Sequence, residues 1–214
     1  IREKGINAYP VYADSWQIWT GFYTDQEAAK KDIDTIKGVL GDGSYTVVQP
    51  SVSRITVLKS DNSVVLVFDS EKGLLQIKPK KENNPYIFKL DGVSYRGHLE
   101  VRRIEGSDMT VINVLPLEEY IYGVVPYEIE ASSHIEALKA QAVAARTYTV
   151  NSMGKHKKYG FDLCPTTSCQ VYKGYSGEAE STNRAVDETK GKIVTYNGKP
   201  AQIFYFSSSG GRTE

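Results

Sequence analysis

Several features that would point to common function classes are missing from this sequence. Basic and acidic residues balance at 26 each, so no net charge draws the chain towards nucleic acid or an anionic membrane surface. No run of about 18 apolar residues occurs, and no membrane-spanning helix is therefore predicted. No G-x-S-x-G elbow with a convincing histidine partner is present, which argues against a serine hydrolase.

Cysteine and histidine are scarce as well. Cys164 and Cys169 are the only cysteines, and none of the three histidines, His98, His134 and His156, shows ligand spacing relative to them. Two thiolates without a clear third ligand are weak evidence for zinc, so no cofactor or metal is predicted. An even pair of cysteines in an extracellular protein favours a disulfide, although so short a loop is strained unless its turn is suitable. Free thiols are the alternative.

Tyrosine, in contrast, is abundant. The chain has 15 tyrosines against six phenylalanines and two tryptophans. A tyrosine ring offers both a stacking face and a hydroxyl, which suits carbohydrate binding, but tyrosine-rich β-structure explains the same composition equally well.

The order of helix and strand signals predicts an α+β fold with two domains. Residues 1–50 form a small αβ module, with a strand over 17–23, a helix over 26–39 capped by Asp25, and a second strand over 45–48. Residues 51–214 form an antiparallel, β-rich domain that contains a long buried helix. Its first strands are predicted at residues 55–58, 64–68, 74–77, 86–90, 99–104 and 110–114, each bounded by turn residues.

The long helix is the most alanine-rich stretch of the chain. Ser133 and Glu136 form a capping-box pattern, which predicts a helix from Ser133 to about residue 151, buried on most sides. A short helix is predicted over 117–123 and another over 180–189. The Asn197-Gly198 pair predicts a hairpin turn between strands at 192–195 and 201–206.

Two cations of the long helix lie near its apolar stripe and therefore need partners. Lys139 and Arg146 are seven residues apart, and an ion pair with a carboxylate such as Glu118 or Glu119 is the simpler explanation. Contact with substrate is the alternative.

Three separated motifs resemble one known family. The runs at residues 116–148 (P-L-E-E-Y through A-A-R-T-Y), 162–174 (D-L-C-P-T-T-S-C-Q-V-Y-K-G) and 206–214 (F-S-S-S-G-G-R-T-E) are similar to the stage II sporulation protein D family, also called the SpoIID/LytB domain. The resemblance extends from about Tyr95 to the last residue. Upstream, W-Q-I-W-T-G-F-Y followed by D-Q-E-A-A-K resembles half of a SPOR module, which binds peptidoglycan glycan strands.

Glu128 is the candidate catalytic residue. It follows an apolar stretch and lies between Tyr127 and Ile129, and such a setting raises the pKa of a carboxyl into the range a general acid needs. The resemblance places it on the catalytic glutamate of the family and implies lytic cleavage of peptidoglycan glycan strands. Glu130 stands where the family usually has proline, and this second carboxylate either raises the pKa of Glu128 or is simply solvated, the solvated state being favoured.

The resemblance also indicates where a glycan groove would lie. Some relatives carry a histidine before the second cysteine and bind metal there, whereas this chain has Ser168. The LytB branch of the family implies a non-catalytic enhancer of a cell-wall amidase as a second function, and a purely structural wall module is a third. The weaker candidates for substrate binding or groove support are Lys139, Gln141, Arg146, Tyr148, Gln170, Tyr172, Ser207, Ser208 and Ser209, the serines being equally compatible with a simple glycine turn.

The family also sets expectations for partners and location. The expected partners are peptidoglycan glycan strands and a cell-wall amidase, with no nucleic acid. The protein is expected to be extracellular or cell-wall associated. The chain opens with Ile1 and closes in the middle of a motif, so it is interpreted as lacking its leader or anchor and part of its C-terminus.

Overall fold

The computed structural model describes residues 1–80, 85–104, 108–206, 208 and 210–211. Helices and mainly antiparallel strands are combined in it, which confirms the α+β class. The chain folds as two compact units, one of Ile1–Leu75 with Val101–Thr110 and the other of Gln76–Glu100 with Val111–Glu214. The domain boundary at residue 50 stays a prediction. Among the described residues, no helix combines the length and the apolar character needed to cross a membrane.

The first unit is built on a four-stranded sheet and one helix. Its elements are β1 (Ala8–Tyr12), β2 (Trp16–Thr20), α1 (Gln26–Leu40), β3 (Ile55–Leu58) and β4 (Val64–Phe68). The strand order is β2-β1-β4-β3, with β1 and β4 parallel and the other pairs antiparallel. Alternate residues of the strands point into the core, where Tyr9, Val11 and Val67 are buried together.

The helix of this unit forms as predicted, but the strand expected after it does not. The side chain of Asp25 accepts a hydrogen bond from the N–H of Ala28 at 2.8 Å, and the helix ends at Gly41 with a φ of 88°. The strand predicted over 45–48 is wrong, because β4 takes the place beside β1. The strand β1 was missed, since Pro10 in its middle is unusual in a strand interior.

Five further strands follow: β5 (Leu75–Ile77), β6 (Ile87–Leu90), β7 (Val93–Arg96), β8 (His98–Arg103) and β9 (Met109–Val114). β6 and β7 form an antiparallel hairpin around Asp91 and Gly92, both of which adopt positive φ. β5, β8 and β9 form a three-stranded sheet in the order β5-β8-β9. The strands predicted at these places are confirmed to within a residue or so at each end.

The second unit contains the remaining helices: α2 (Leu117–Tyr122), α3 (Val125–Glu128), α4 (Ile135–Ser152) and α5 (Glu180–Glu188). Its core joins α2, α3, α4 and α5 through Ile121, Val124, Val125, Ala142, Ala145 and Val186, all fully buried. The small side chains of α4 at this core let the neighbouring helices approach closely. Only four of the eighteen residues of α4 are exposed, so the predicted burial is confirmed.

Two local predictions in this unit need correction. Ser133 does not cap α4: the cap is His134, whose ring Nδ1 accepts from the N–H of Glu136 at 3.3 Å. The strands predicted over 192–195 and 201–206 reduce to the short pair β10 (Thr195–Tyr196) and β11 (Lys199–Pro200) around the predicted Asn197-Gly198 turn. After β11 the N–H of Ala201 still donates to the carbonyl of Val194 at 2.9 Å, but residues 201–206 form no further strand.

Candidate functional site

Glu128 is the last residue of α3, where the chain leaves the helical core. Val125, at the start of this helix, is fully buried and anchors it, Pro126 lies in its first turn, and Ile129 after it is extended. Burial raises the pKa of the Glu128 carboxyl above its ordinary value of 4.5, while the N–H of Val171, which donates to the carboxylate, acts in the opposite direction. Glu128 therefore combines a fixed position with a pKa shifted towards neutrality, as a general acid requires.

Tyr205 is an electrostatic neighbour of Glu128. Burial raises the pKa of Tyr205 to about 12, a hydrogen bond from Gln170 lowers it, and the negative charge of Glu128 raises it again. The phenol thus keeps its proton at neutral pH, and its ring meets that of Tyr148 edge-on with centroids 6.2 Å apart. Sequence reasoning missed Tyr205, because the F-Y-F run that contains it signals only strand alternation.

Gln170 holds this corner of the site together. The side chain is 1% exposed, and its Oε1 accepts from Thr149 Oγ1 at 2.7 Å and from the hydroxyl of Tyr120 at 3.4 Å. Its Nε2 donates to the carbonyl of Ala145 at 3.2 Å and to the hydroxyl of Tyr205 at 2.9 Å. A buried amide with all these partners connects α4 to the segment that carries Gln170. Gln170 therefore supports the structure of the site.

Tyr172 is a second supporting residue. Its ring packs against those of Tyr120 and Tyr95, with centroids 5.1 and 6.3 Å away, and its hydroxyl donates to Asn113 Oδ1 at 3.0 Å. Burial raises the pKa of Tyr172 well above its usual range. Gly123 allows this close packing, since a Cβ there would come within 2.5 Å of the ring. Tyr172 is therefore a partly buried core residue.

Arg146 is part of the core and not of a groove. The guanidinium group is 1% exposed and binds Glu118 through two nitrogens, at 3.0 Å from Nε to Oε1 and 2.7 Å from Nη2 to Oε2. It also donates to the carbonyls of Val186 and Lys192. The ion pair with Glu118 is thus confirmed, and contact between Arg146 and a substrate is corrected because the side chain does not reach the surface.

Lys139 and Gln141 precede Arg146 on the same helix. Lys139 forms ion pairs with Glu136 at 2.8 Å and Glu188 at 2.7 Å, so its partners differ from the carboxylates expected. Gln141 is half-buried, and its Nε2 is buried without a hydrogen-bond partner among the described residues. A substrate-binding role for each of them stays a prediction.

The two cysteines and one histidine form a cluster beside this site. Cys164 and Cys169 are free thiols with sulfurs 2.9 Å apart, and His156 Nε2 lies 3.2 Å from the sulfur of Cys169. Burial opposes ionisation of Cys164, but its hydrogen bonds with Cys169, Thr166 and His156 lower the pKa of its thiol to about 6. These contacts favour the thiolate form of Cys164, which is the form that binds metals.

This cluster corrects the argument from spacing that no histidine accompanies the cysteines. The loop after α4 turns back at Gly154 and Gly160, both of positive φ, and brings His156 beside the two sulfurs. The three ligand atoms lie within 4.8 Å of one another. Two sulfurs and an imidazole are a donor set that suits a soft divalent ion such as zinc.

The cluster and the acid are joined through three consecutive residues. Cys169 belongs to the cluster, Gln170 supports Tyr205, and the N–H of Val171 holds the carboxylate of Glu128. A short stretch of backbone and one hydrogen bond therefore connect the sulfurs to the Glu128 carboxylate.

The remaining predicted residues lie at the periphery or outside the described part of the chain. Glu130 is exposed, in agreement with the solvated state expected for it. Ser208 is also exposed, whereas Ser207 and Ser209 lie outside the described residues. The proposed serine lining of a groove stays a prediction.

Several known proteins are similar in sequence to this chain. The profile of the SpoIID family, described as Stage II sporulation protein, matches residues 105–196. An uncharacterized protein of Brachyspira hyodysenteriae is 34% identical over 186 residues, which are 84% of this chain and 49% of that protein. The Amidase enhancer of Bacillus subtilis is 42% identical over 141 residues, which are 65% of this chain and 19% of that protein.

Stage II sporulation protein D of Bacillus subtilis is 40% identical over 123 residues, which are 50% of this chain and 36% of that protein. The chain thus spans about half the length, or less, of these three relatives. The likeness of the N-terminal residues to a SPOR module stays a prediction. Over residues 105–196 the chain is similar to the stage II sporulation protein D family, as its motifs predicted.

Proposed function

We propose that the second unit cleaves peptidoglycan glycan strands as a lytic transglycosylase, with Glu128 as its single acid and base. The observation that carries the proposal is the state of Glu128: half-buried, with a raised pKa and a carboxylate held by the N–H of Val171. Glu130, the other carboxylate in this loop, is exposed. A reaction that needs one carboxyl fits this arrangement better than hydrolysis, which ordinarily needs two.

The proton movements of such a reaction balance on one side chain. Protonated Glu128 gives its proton to the oxygen that bridges two sugars, and the bond from that oxygen to the anomeric carbon of muramic acid breaks. The 6-hydroxyl of the same muramic acid attacks the anomeric carbon, and the Glu128 carboxylate takes the hydroxyl proton. The products are a free 4-hydroxyl and a 1,6-anhydromuramic end, and Glu128 returns to its starting form.

Neighbouring groups prepare Glu128 for this role. Tyr205 keeps its proton and is uncharged, so it places no second negative charge near the carboxyl of Glu128. Gln170 fixes Tyr205 through its Nε2, and the edge-on contact with Tyr148 fixes the ring. Restricting these side chains fixes the surroundings of Glu128, whose carboxylate is itself positioned by the N–H of Val171, and such positioning is a large part of catalysis.

In this proposal the cluster of two cysteines and one histidine has a structural role. His156, Cys164 and Cys169 would hold a zinc ion, which when bound supplies a cross-link between the loop after α4 and the segment before Gln170. No proton transfer in the reaction involves these three residues.

A second candidate function is binding without cleavage. The relative with 42% identity is an Amidase enhancer, and Glu130 replaces the proline usual in the family. In this case the unit holds a glycan strand and stimulates a partner amidase. Either function places the protein outside the cell or at the cell wall.

One experiment separates the two functions. Purified protein and its Glu128→Gln variant are incubated with amidase-treated peptidoglycan, and soluble products are analysed by mass spectrometry for 1,6-anhydro ends. Glu130→Gln is the matched control, because it removes an exposed carboxylate from the same loop. Release of anhydro products by the wild type and by Glu130→Gln, but not by Glu128→Gln, supports the enzyme. Co-sedimentation with peptidoglycan without such products supports the enhancer.

A further inference from the structure

The two cysteines of the second unit lie side by side and have no competitor in the chain. Cys164 and Cys169 are the only cysteines of the sequence, so a disulfide within one chain can form only between them. Their sulfurs are 2.9 Å apart. The segment that joins them turns back on itself, since the N–H of Cys169 donates to the carbonyl of Thr166 at 2.9 Å. This turn keeps both sulfurs at one point.

The distance between the sulfurs lies between those of two bonded states. In a disulfide the sulfurs are about 2.05 Å apart. Two thiolates on a tetrahedral zinc ion, each about 2.3 Å from the metal, are about 3.8 Å apart. From 2.9 Å, the pair of sulfurs reaches either state when their separation changes by less than about 1 Å. The fold is therefore compatible with both states.

The two states exclude each other. A cysteine binds a metal through its thiolate, and a disulfide contains no thiolate. Formation of a disulfide would thus remove two of the three clustered donors and leave only His156, whose Nε2 lies 3.2 Å from the sulfur of Cys169. A single imidazole is far short of the four ligands that a structural zinc ion takes.

The two thiols differ in their access to solvent. Cys169 is 8% exposed, and its sulfur lies between Cys164 and His156. Cys164 is half-buried and lies closer to the surface, with the exposed Thr166 hydroxyl 3.4 Å from its sulfur. A reagent that arrives from solvent therefore reaches Cys164 first, and Cys169 is then in place to attack it.

We propose that Cys164 and Cys169 form a thiol–disulfide switch, in which oxidation by a small disulfide expels the zinc ion of the cluster. The Cys164 thiolate attacks one sulfur of the small disulfide, and the first small thiolate leaves. The Cys169 thiolate then attacks the sulfur of Cys164, and the second small thiolate leaves. The protein loses two electrons, which the small disulfide gains, and the zinc ion is released. Excess small thiol reverses the reaction.

The switch changes which parts of the chain are cross-linked. The zinc-bound cluster connects the loop after α4, through His156, to the segment before Gln170. The disulfide connects only Cys164 and Cys169, so the loop that carries His156 loses its link and zinc no longer stabilises the fold. The extracellular location proposed above is an oxidising setting, in which such a reaction occurs. The switch goes beyond the proposed function and needs neither glycan cleavage nor an amidase.

The test treats the whole chain, reduced and loaded with zinc, with oxidised glutathione. The intact mass should fall by two hydrogens relative to the reduced chain, without a glutathione adduct. A chromophoric indicator should show about one zinc ion released for each disulfide formed. Dithiothreitol with added zinc should restore the starting state. Added zinc should raise the melting temperature of the reduced protein and leave that of the oxidised protein unchanged.

Three variants test the order of attack and the two states separately. Cys169→Ser should stop at a glutathione adduct on Cys164, and Cys164→Ser should react at least about tenfold more slowly because Cys169 is buried. His156→Gln is the matched control: it keeps both sulfurs, so it should form the disulfide but retain much less zinc. Circular dichroism checks that each variant is folded.

These measurements do not depend on glycan cleavage, so their failure is distinct from failure of the proposed function. A reduced wild type that binds no zinc overturns the proposal. A wild type that keeps its zinc after the disulfide has formed, or that accumulates the glutathione adduct in place of the internal disulfide, overturns it as well.

Discussion

Replacing Glu128 with glutamine tests the proposed chemistry most directly. The change keeps the size of the side chain and its ability to accept the N–H of Val171, but it removes the transferable proton. General acid–base catalysis contributes about 10² to 10⁴ in rate. The loss of transition-state stabilisation is then roughly 3–5 kcal/mol, at 1.36 kcal/mol for each factor of ten.

The pH dependence follows from the raised pKa of Glu128. The protonated form gives the proton to the glycosidic oxygen, so the wild-type rate should fall as pH rises through the raised pKa. The residual rate of Glu128→Gln should lack this limb of the profile. Release of 1,6-anhydro products from amidase-treated peptidoglycan, followed by mass spectrometry at several pH values, measures both effects.

Stability gives an independent measure of the same pKa. A carboxyl whose pKa is higher in the folded state contributes stability below the pKa of the unfolded chain, and this contribution is lost as pH rises through the folded value. Glu128→Gln should therefore melt at a higher temperature than the wild type at neutral pH, and the difference should shrink near pH 4, below the ordinary value of 4.5. A variant that retains the wild-type rate of anhydro release, or melts lower at neutral pH, refutes the reasoning.

Three further predictions concern the structure around the site. Arg146→Met leaves Glu118 without its buried partner and should reduce the free energy of unfolding by about 3–5 kcal/mol in urea titration; an unchanged midpoint contradicts a structural ion pair. Gly123→Ala drives a methyl group into the ring of Tyr172 and should cost about 1–3 kcal/mol by the same method; an unchanged midpoint contradicts tight packing between Gly123 and the ring. The wild type should retain roughly one zinc ion per chain after dialysis, measured by mass spectrometry of the metal, and Cys164→Ser should retain much less; equal retention excludes the cluster as the ligand.

Local rules explain the parts of the fold that sequence reasoning placed correctly. The Asp25 cap, the Gly41 end of α1 and the Asn197-Gly198 turn each depend on a few neighbouring residues and on the φ values that those residues permit. The same rules misplaced the start of α4 by choosing Ser133 over His134, because two adjacent polar residues compete for one cap.

Candidate chemistry was predictable at Glu128 and less so around it. An apolar run before a glutamate signals a raised pKa, and the structure agrees with that direction. Arg146, in contrast, carries the same charge whether it binds a substrate or Glu118, so only its burial distinguishes the two roles.

The sequence by itself determined the fold class, the likeness to a family and the choice of Glu128 as the candidate acid, since these depend on residue types and short spacings. Tertiary structure alone decided which strand lies beside β1, that His156 meets two cysteines, and that Tyr205 stands near Glu128. These contacts join residues that lie far apart along the chain. Composition allows many such pairs, and the packing of the whole fold, which no local pattern encodes, selects among them.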